Sequence, residues 1–96
     1  MLELVIRPRA RRDLKGIWKY TVKEWGVAQA DKYLGDIDRE INGLLEFPEL
    51  GVSYDHIRPG YRALHVMHHL VFYRRKDQTL QIVRVLHEAM DVRSHL

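Results

Sequence analysis

The chain has 96 residues, is 46% hydrophobic, and carries 16 basic and 13 acidic side chains for a net charge of +3. That length holds one domain with one modest core, spanning residues 1–96, and the apolar share excludes a disordered chain. Without cysteine there are no disulfides, thiolate metal sites or cysteine nucleophiles, and the longest stretch free of Asp, Glu, Lys and Arg, Ala63 to Tyr73, is too short to cross a bilayer. Glu3 and Arg7 stand where a signal peptide needs an apolar block, so a cytoplasmic protein is expected.

Leu2 to Ile6 reads as a first strand. From Pro8 the period changes: Ala10, Leu14, Ile17, Trp18, Thr21 and Trp25 recur at steps of three and four, one face of a helix. Pro8 suits the first turn, and Gly26 suits the end. A second helix follows through Ala30, Tyr33, Leu34, Ile37, Ile41, Leu44 and Leu45 and stops before Pro48. So short a connection predicts an antiparallel helical hairpin. Gly16, Gly35 and Gly43 fall inside it, either as tolerated weak points or, for the first two, as places of close approach.

Phe47 to Gly60 holds two prolines and two glycines and reads as a crossing loop. Three strands follow, Tyr61 to Val66, His69 to Arg75 and Leu80 to Leu86, with a turn at Lys76 to Thr79 and a short tail after Leu86. The fold class is therefore α+β, in the order β-α-α-β-β-β. The last two strands do not alternate between apolar and polar, which is the pattern of strands covered on both faces. One hairpin covers one face of the sheet. The 47–60 loop, the tail or a second polypeptide must cover the other, and an apolar face left open is an interaction surface.

Charge is segregated. Residues 1–25 carry seven basic and three acidic groups (+4), residues 26–57 two and seven (−5), and residues 58–96 seven and three (+4). This predicts a basic surface from the two ends of the chain and argues against a uniformly basic nucleic-acid coat. Arg11, Lys15, Lys19 and Lys23 recur every fourth residue on the first helix, a solvated face that Asp31 and Asp38 of the second helix are placed to partner, or a contact surface for an acidic target.

Several stretches taken together carry a resemblance. Ala10, Asp13-Leu14, Ile17-Trp18, Tyr20, Trp25-Gly26, Gln29-Ala30 and Tyr33-Leu34 in the hairpin are followed by Phe47-Pro48-Glu49-Leu50-Gly51 in the loop. Ile57 to Arg62, His69 to Arg74, and Arg84-Val85-Leu86-His87 with Met90-Asp91 complete the set. In order and spacing these resemble ParE-type toxins of the RelE/ParE toxin–antitoxin superfamily. One departure is the turn Val66-Met67-His68, where relatives commonly have glycine; another is Arg7 before Pro8, where a Ser or Thr cap is usual.

The resemblance implies a helical hairpin packed on one face of a mainly antiparallel sheet. It also implies a cognate antitoxin as partner, and DNA gyrase inhibited by binding, with no cofactor and no sequence-specific nucleic-acid contact. A dimer of toxin–antitoxin heterodimers fits the same family. The alternatives are a RelE-like ribosome-dependent mRNA endonuclease and a non-toxic binding module or co-repressor. Target or antitoxin contacts are expected at Arg58, Arg62, Tyr73, Arg84, His87, Met90, Asp91 and Arg93, with the antitoxin on the open sheet face and the tail linked to toxicity.

A nuclease would draw on His87, Arg84 and Tyr73, a proton shuttle beside a cation. The plainer expectation is that Arg84 orders the tail by pairing with Asp91 or Glu88 while Tyr73 packs. His87-Glu88-Ala89-Met90-Asp91 superficially resembles a zincin helix but has Asp91 in place of the second histidine, and His65, His68 and His69 match no standard metal spacing, so no metal is expected.

Overall fold

The computed structural model describes residues 1–96. Its elements are β1 (Glu3–Ile6), α1 (Pro8–Trp25), α2 (Val27–Gly43), β2 (Val52–Ser53), β3 (Tyr61–Val66), β4 (His69–Lys76), β5 (Thr79–His87) and a last helical turn, α3 (Val92–His95). The sheet runs β1-β5-β4-β3-β2, with β1 parallel to β5 and every other pair antiparallel. The anticipated order is present, with a two-residue strand, β2, added inside the 47–60 loop.

Local chemistry sets the hairpin. Pro8 opens α1, where its missing N–H costs nothing, and Arg7 before it contributes no side-chain cap. Gly26, at φ 91°, serves both helices: its N–H reaches the Val22 carbonyl and its own carbonyl accepts from Ala30. A side chain there would strain the backbone, which is why a glycine marks the corner. A Cβ at Gly16, Gly35 or Gly43 meets nothing within 4 Å, so these glycines are tolerated weak points and not close contacts.

The hairpin packs on one sheet face. Ala10, Ile37, Ile41 and Leu44 meet Leu64, Val66, Val71, Tyr73, Leu80, Ile82 and Val85 in the main core. On the opposite face Ala63, Phe72 and Leu86 form a smaller core, covered by Tyr54, Leu70, Val92 and Leu96. This explains the unbroken apolar run in β4: Val71, Phe72 and Tyr73 are all buried because both faces are covered. It also corrects the expectation of an open apolar sheet face. The chain's own loop and tail supply the cover.

Two irregularities shape the outer edge of β5. The β4–β5 register shifts between Phe72, which pairs with Arg84, and Tyr73, which pairs with Ile82, leaving Val83 as a bulge. And β1 stops at Ile6, opposite Ile82, so the second half of β5 has no strand on that side. The edge is closed by a side chain: the Asp13 carboxylate of α1 accepts the Val85 N–H at 2.9 Å.

Candidate functional site

The first helix buries Ala10 and Thr21, but not its whole apolar stripe. Trp25 is 74% exposed and Tyr20 64% exposed. Both line an open groove of about 940 Å³ between the hairpin and the end of β5. The far wall is the β3–β4 turn and the segment after β5, with Met67 (41% exposed), His68, His87 and Met90 (45% exposed). Periodicity alone puts Trp25 on the packed face; the last turn of α1 faces this groove in place of the sheet. So many exposed large apolar side chains around one concavity mark an interaction surface.

The wall is held by specific bonds. The Glu88 N–H donates to the His68 carbonyl at 2.9 Å, and the Glu88 carboxylate lies 3.0 Å from His68 Nδ1 and 3.5 Å from His65 Nε2. The hydrogen bond from His68, aided by the other nearby histidines, keeps the Glu88 carboxyl below its ordinary range. Between hairpin and sheet, the Tyr33 hydroxyl lies 2.8 Å from His69 Nδ1, and the His68 N–H points at its oxygen, 3.3 Å away. The two contacts fasten α2 to the β3–β4 turn and the start of β4. Burial, reinforced by the His87 and His68 charges, pushes the His69 pKa down to about 4. His69 also stacks edge-on against His87 at 5.3 Å. Burial likewise raises the Tyr33 hydroxyl.

The structure does not bring the eight anticipated site residues together. His87 and Met90 line the groove. Tyr73 is 1% exposed and offers no contact surface; its hydroxyl donates to the Pro48 carbonyl and accepts the Gly51 N–H, both at 2.8 Å, which pins the 47–51 loop. Arg62 braces the same loop through the Gly51 carbonyl at 2.7 Å. Arg58 is exposed and shares the Tyr61 ring with Arg74, each 5.9 Å from its centroid. Arg84 pairs with neither Asp91 nor Glu88. It grips Asp13 and donates to the His95 carbonyl at 2.7 Å, reaching over the β5 edge from tail to α1. Asp91 instead caps α3, accepting from the Arg93 N–H and the Ser94 hydroxyl, and Arg93 stays exposed.

His87, Arg84 and Tyr73 therefore do not converge: one is in the groove, one is locked on the β5 edge, and one is buried under the loop. No three His, Asp or Glu side chains are placed to hold a metal ion. The basic stripe of α1 also lacks its anticipated partners. Asp31 accepts from Trp18 Nε1 at 3.0 Å, and no Lys of α1 forms an ion pair. The residues overlooked are Tyr20, Trp25, Met67 and Tyr33 of the groove, with Asp13 and Gly51 as supports. Met67 carried a visible signal, a large apolar residue in a tight turn.

Comparison with known proteins agrees with this fold. Residues 4–92 match the family model described as the ParE toxin of type II toxin–antitoxin system, parDE. A Toxin ParE1 of Mycobacterium tuberculosis is 41% identical over 93 residues, covering 96% of this chain and 95% of that protein. The Toxin ParE of Escherichia coli is 31% identical over 97 residues, covering 100% and 94%. A solved structure titled as the chromosomal ParDE TA system from P. aeruginosa superposes with a TM-score of 0.81 at 26% identity, covering 91% of this chain and 96% of that one. The chain thus belongs to the ParE toxin family of type II toxin–antitoxin systems, within the RelE/ParE superfamily.

Proposed function

We propose that a cognate antitoxin silences this chain by seating an ordered segment in the groove between α1 and the β3–β4 turn, and that the free chain inhibits DNA gyrase by binding. The observation that carries the first half is the groove itself. It is an apolar concavity that the chain's own loop and tail leave uncovered, ringed by Trp25, Tyr20, Met67 and Met90. Aromatic and methionine side chains around a concavity are what a docking segment anchors on. The second half is supported by family membership and by the separation of Tyr73, Arg84 and His87, which leaves the anticipated nuclease set unassembled. No helix is long and apolar enough to cross a membrane, in keeping with action on a cytoplasmic target.

The test pairs two assays on one preparation: gyrase supercoiling and cleavage, and ribosome-dependent cleavage of mRNA. Gyrase inhibition without RNA cleavage is expected, and added antitoxin should relieve it. RNA cleavage with gyrase unaffected would replace this reading with the RelE-like one. Activity in neither assay, with antitoxin still bound, would leave a binding module. Trp25→Ala should weaken antitoxin binding by at least roughly tenfold, as anchor residues do.

A further inference from the structure

Two of the three methionines in the chain stand on the groove's far wall. Met67 occupies the β3–β4 turn at φ 53°, a left-handed conformation that glycine, asparagine or aspartate adopts more cheaply. It is 41% exposed there, so neither turn geometry nor core packing accounts for a large thioether at this position. Met90 is 45% exposed on the neighbouring segment. The two stretches are stapled together by the Glu88 N–H to the His68 carbonyl and by the His68–Glu88 pair.

We infer that Met67 and Met90 form a modification site, at which oxidation to the sulfoxide by hydrogen peroxide blocks capture of the chain by its antitoxin. This rests on the groove being the antitoxin's seat. In the reaction a sulfur lone pair attacks one peroxide oxygen. The S–O bond forms as the O–O bond breaks, and the departing oxygen takes up the proton and leaves as water. Sulfur is oxidised by two electrons and the peroxide is reduced. The product carries a strong dipole where an apolar contact is needed, and burying it without a hydrogen-bond partner weakens binding roughly ten- to a hundredfold. An occupied groove shields both sulfurs, so the modification acts on toxin while it is free and keeps it unsilenced. Sulfoxide reduction restores the contact.

Met1, fully exposed and away from the groove, is the internal control. Free chain and antitoxin complex are treated with hydrogen peroxide, quenched with catalase and mapped by peptide mass spectrometry; antitoxin affinity of the oxidised chain is then measured. The expected result is oxidation of all three methionines in the free chain and of Met1 alone in the complex, with affinity falling at least tenfold. In Met67→Leu/Met90→Leu, whatever its starting affinity, peroxide treatment should leave that affinity unchanged. If Met67 and Met90 oxidise as fast as Met1 in the complex, the groove is not the antitoxin's seat and both readings fall. If they are protected yet the oxidised chain binds as before, the sulfoxide proposal alone fails. An equal loss in the double leucine variant would place the sensitivity elsewhere and also overturn it.

Discussion

Arg84 grips Asp13 across 71 residues of sequence, with Nε and Nη2 2.7 and 2.9 Å from the two carboxylate oxygens. The same carboxylate takes the Val85 N–H, and the remaining guanidinium nitrogen holds the His95 carbonyl. One ion pair thus ties α1, the open half of β5 and the tail. Both partners are largely removed from solvent, at 11% and 16% side-chain exposure. Arg84→Met should cost about 2–4 kcal/mol, because a carboxylate is left with one backbone N–H in a poorly solvated site. Asp13→Asn should cost less, since the amide oxygen still accepts from Val85. Urea midpoints at unchanged m-value check both.

Gly51 is the one glycine whose Cβ would collide with its surroundings. A Cβ there would stand 2.6 Å from the Tyr73 hydroxyl and 2.9 Å from the Ala63 carbonyl oxygen. Gly51→Ala should therefore destabilise the fold by about 1–3 kcal/mol through overpacking. Tyr73→Phe should do so by a similar amount, by stranding the Gly51 N–H and the Pro48 carbonyl. Combining the two should cost less than the sum, because both break the same contact. A full double-mutant cycle in thermal unfolding tests this, and strict additivity would contradict it.

His69 should stay neutral well below the ordinary histidine range. Its pKa in the folded chain is about 4, below the ordinary 6.5, so the unfolded chain binds the proton first. The associated stability is fully present above pH 6.5 and drains away as pH falls through that window toward 4. Partial solvent access holds the loss to about 1–3 kcal/mol. Histidine NMR titration should show one ring with this low midpoint, and His69→Gln should flatten the corresponding part of the stability–pH curve. A His69 midpoint near 6.5 would refute the assignment.

The tail has two separable jobs. Val92 and Leu96 cover Phe72 and Leu86, and His95 receives Arg84. Deleting Asp91 to Leu96 should lower stability by about 2–3 kcal/mol through exposure of that small core, with antitoxin affinity changed little because the groove is intact. Arg93→Glu touches neither task and should leave folding and antitoxin binding as they are. If the exposed face of the tail meets gyrase, that charge reversal should reduce supercoiling inhibition several-fold. Calorimetry and the supercoiling assay on the same preparation separate the two effects.

Legible in the sequence is whatever short spans of chain encode. The three-to-four periodicity from Ala10 and from Ala30, with Pro8 and Gly26 as punctuation, places α1 nearly to the residue and carries α2 past its end at Gly43, because Leu44 and Leu45 keep the apolar period in the turn that follows. The three long strands follow from apolar runs and the β4–β5 turn from Lys76 to Thr79, whereas the β3–β4 turn at Met67-His68 carries no breaker. The two-residue β2 is invisible there because its pairing with Ala63 and Arg62, not its own side chains, makes it a strand.

The candidate site is less legible. His87 and Met90 belong to the groove, but Tyr73 and Arg62 anchor a loop, and the groove's aromatic wall reads as ordinary helix face. Whether Trp25 packs or lines an opening depends on what lies across from it, and an apolar period does not say. Sequence alone thus determined the elements, their order and the family resemblance, since backbone propensity and hydrophobic period act over a few residues. Tertiary structure decided that Arg84 answers to distant Asp13 and not to nearby Glu88 or Asp91, and that the tail closes the second sheet face. Those choices depend on distance in space: α1 is brought against the β5 edge that β1 leaves unpaired, and a carboxylate there satisfies both a bare N–H and a guanidinium.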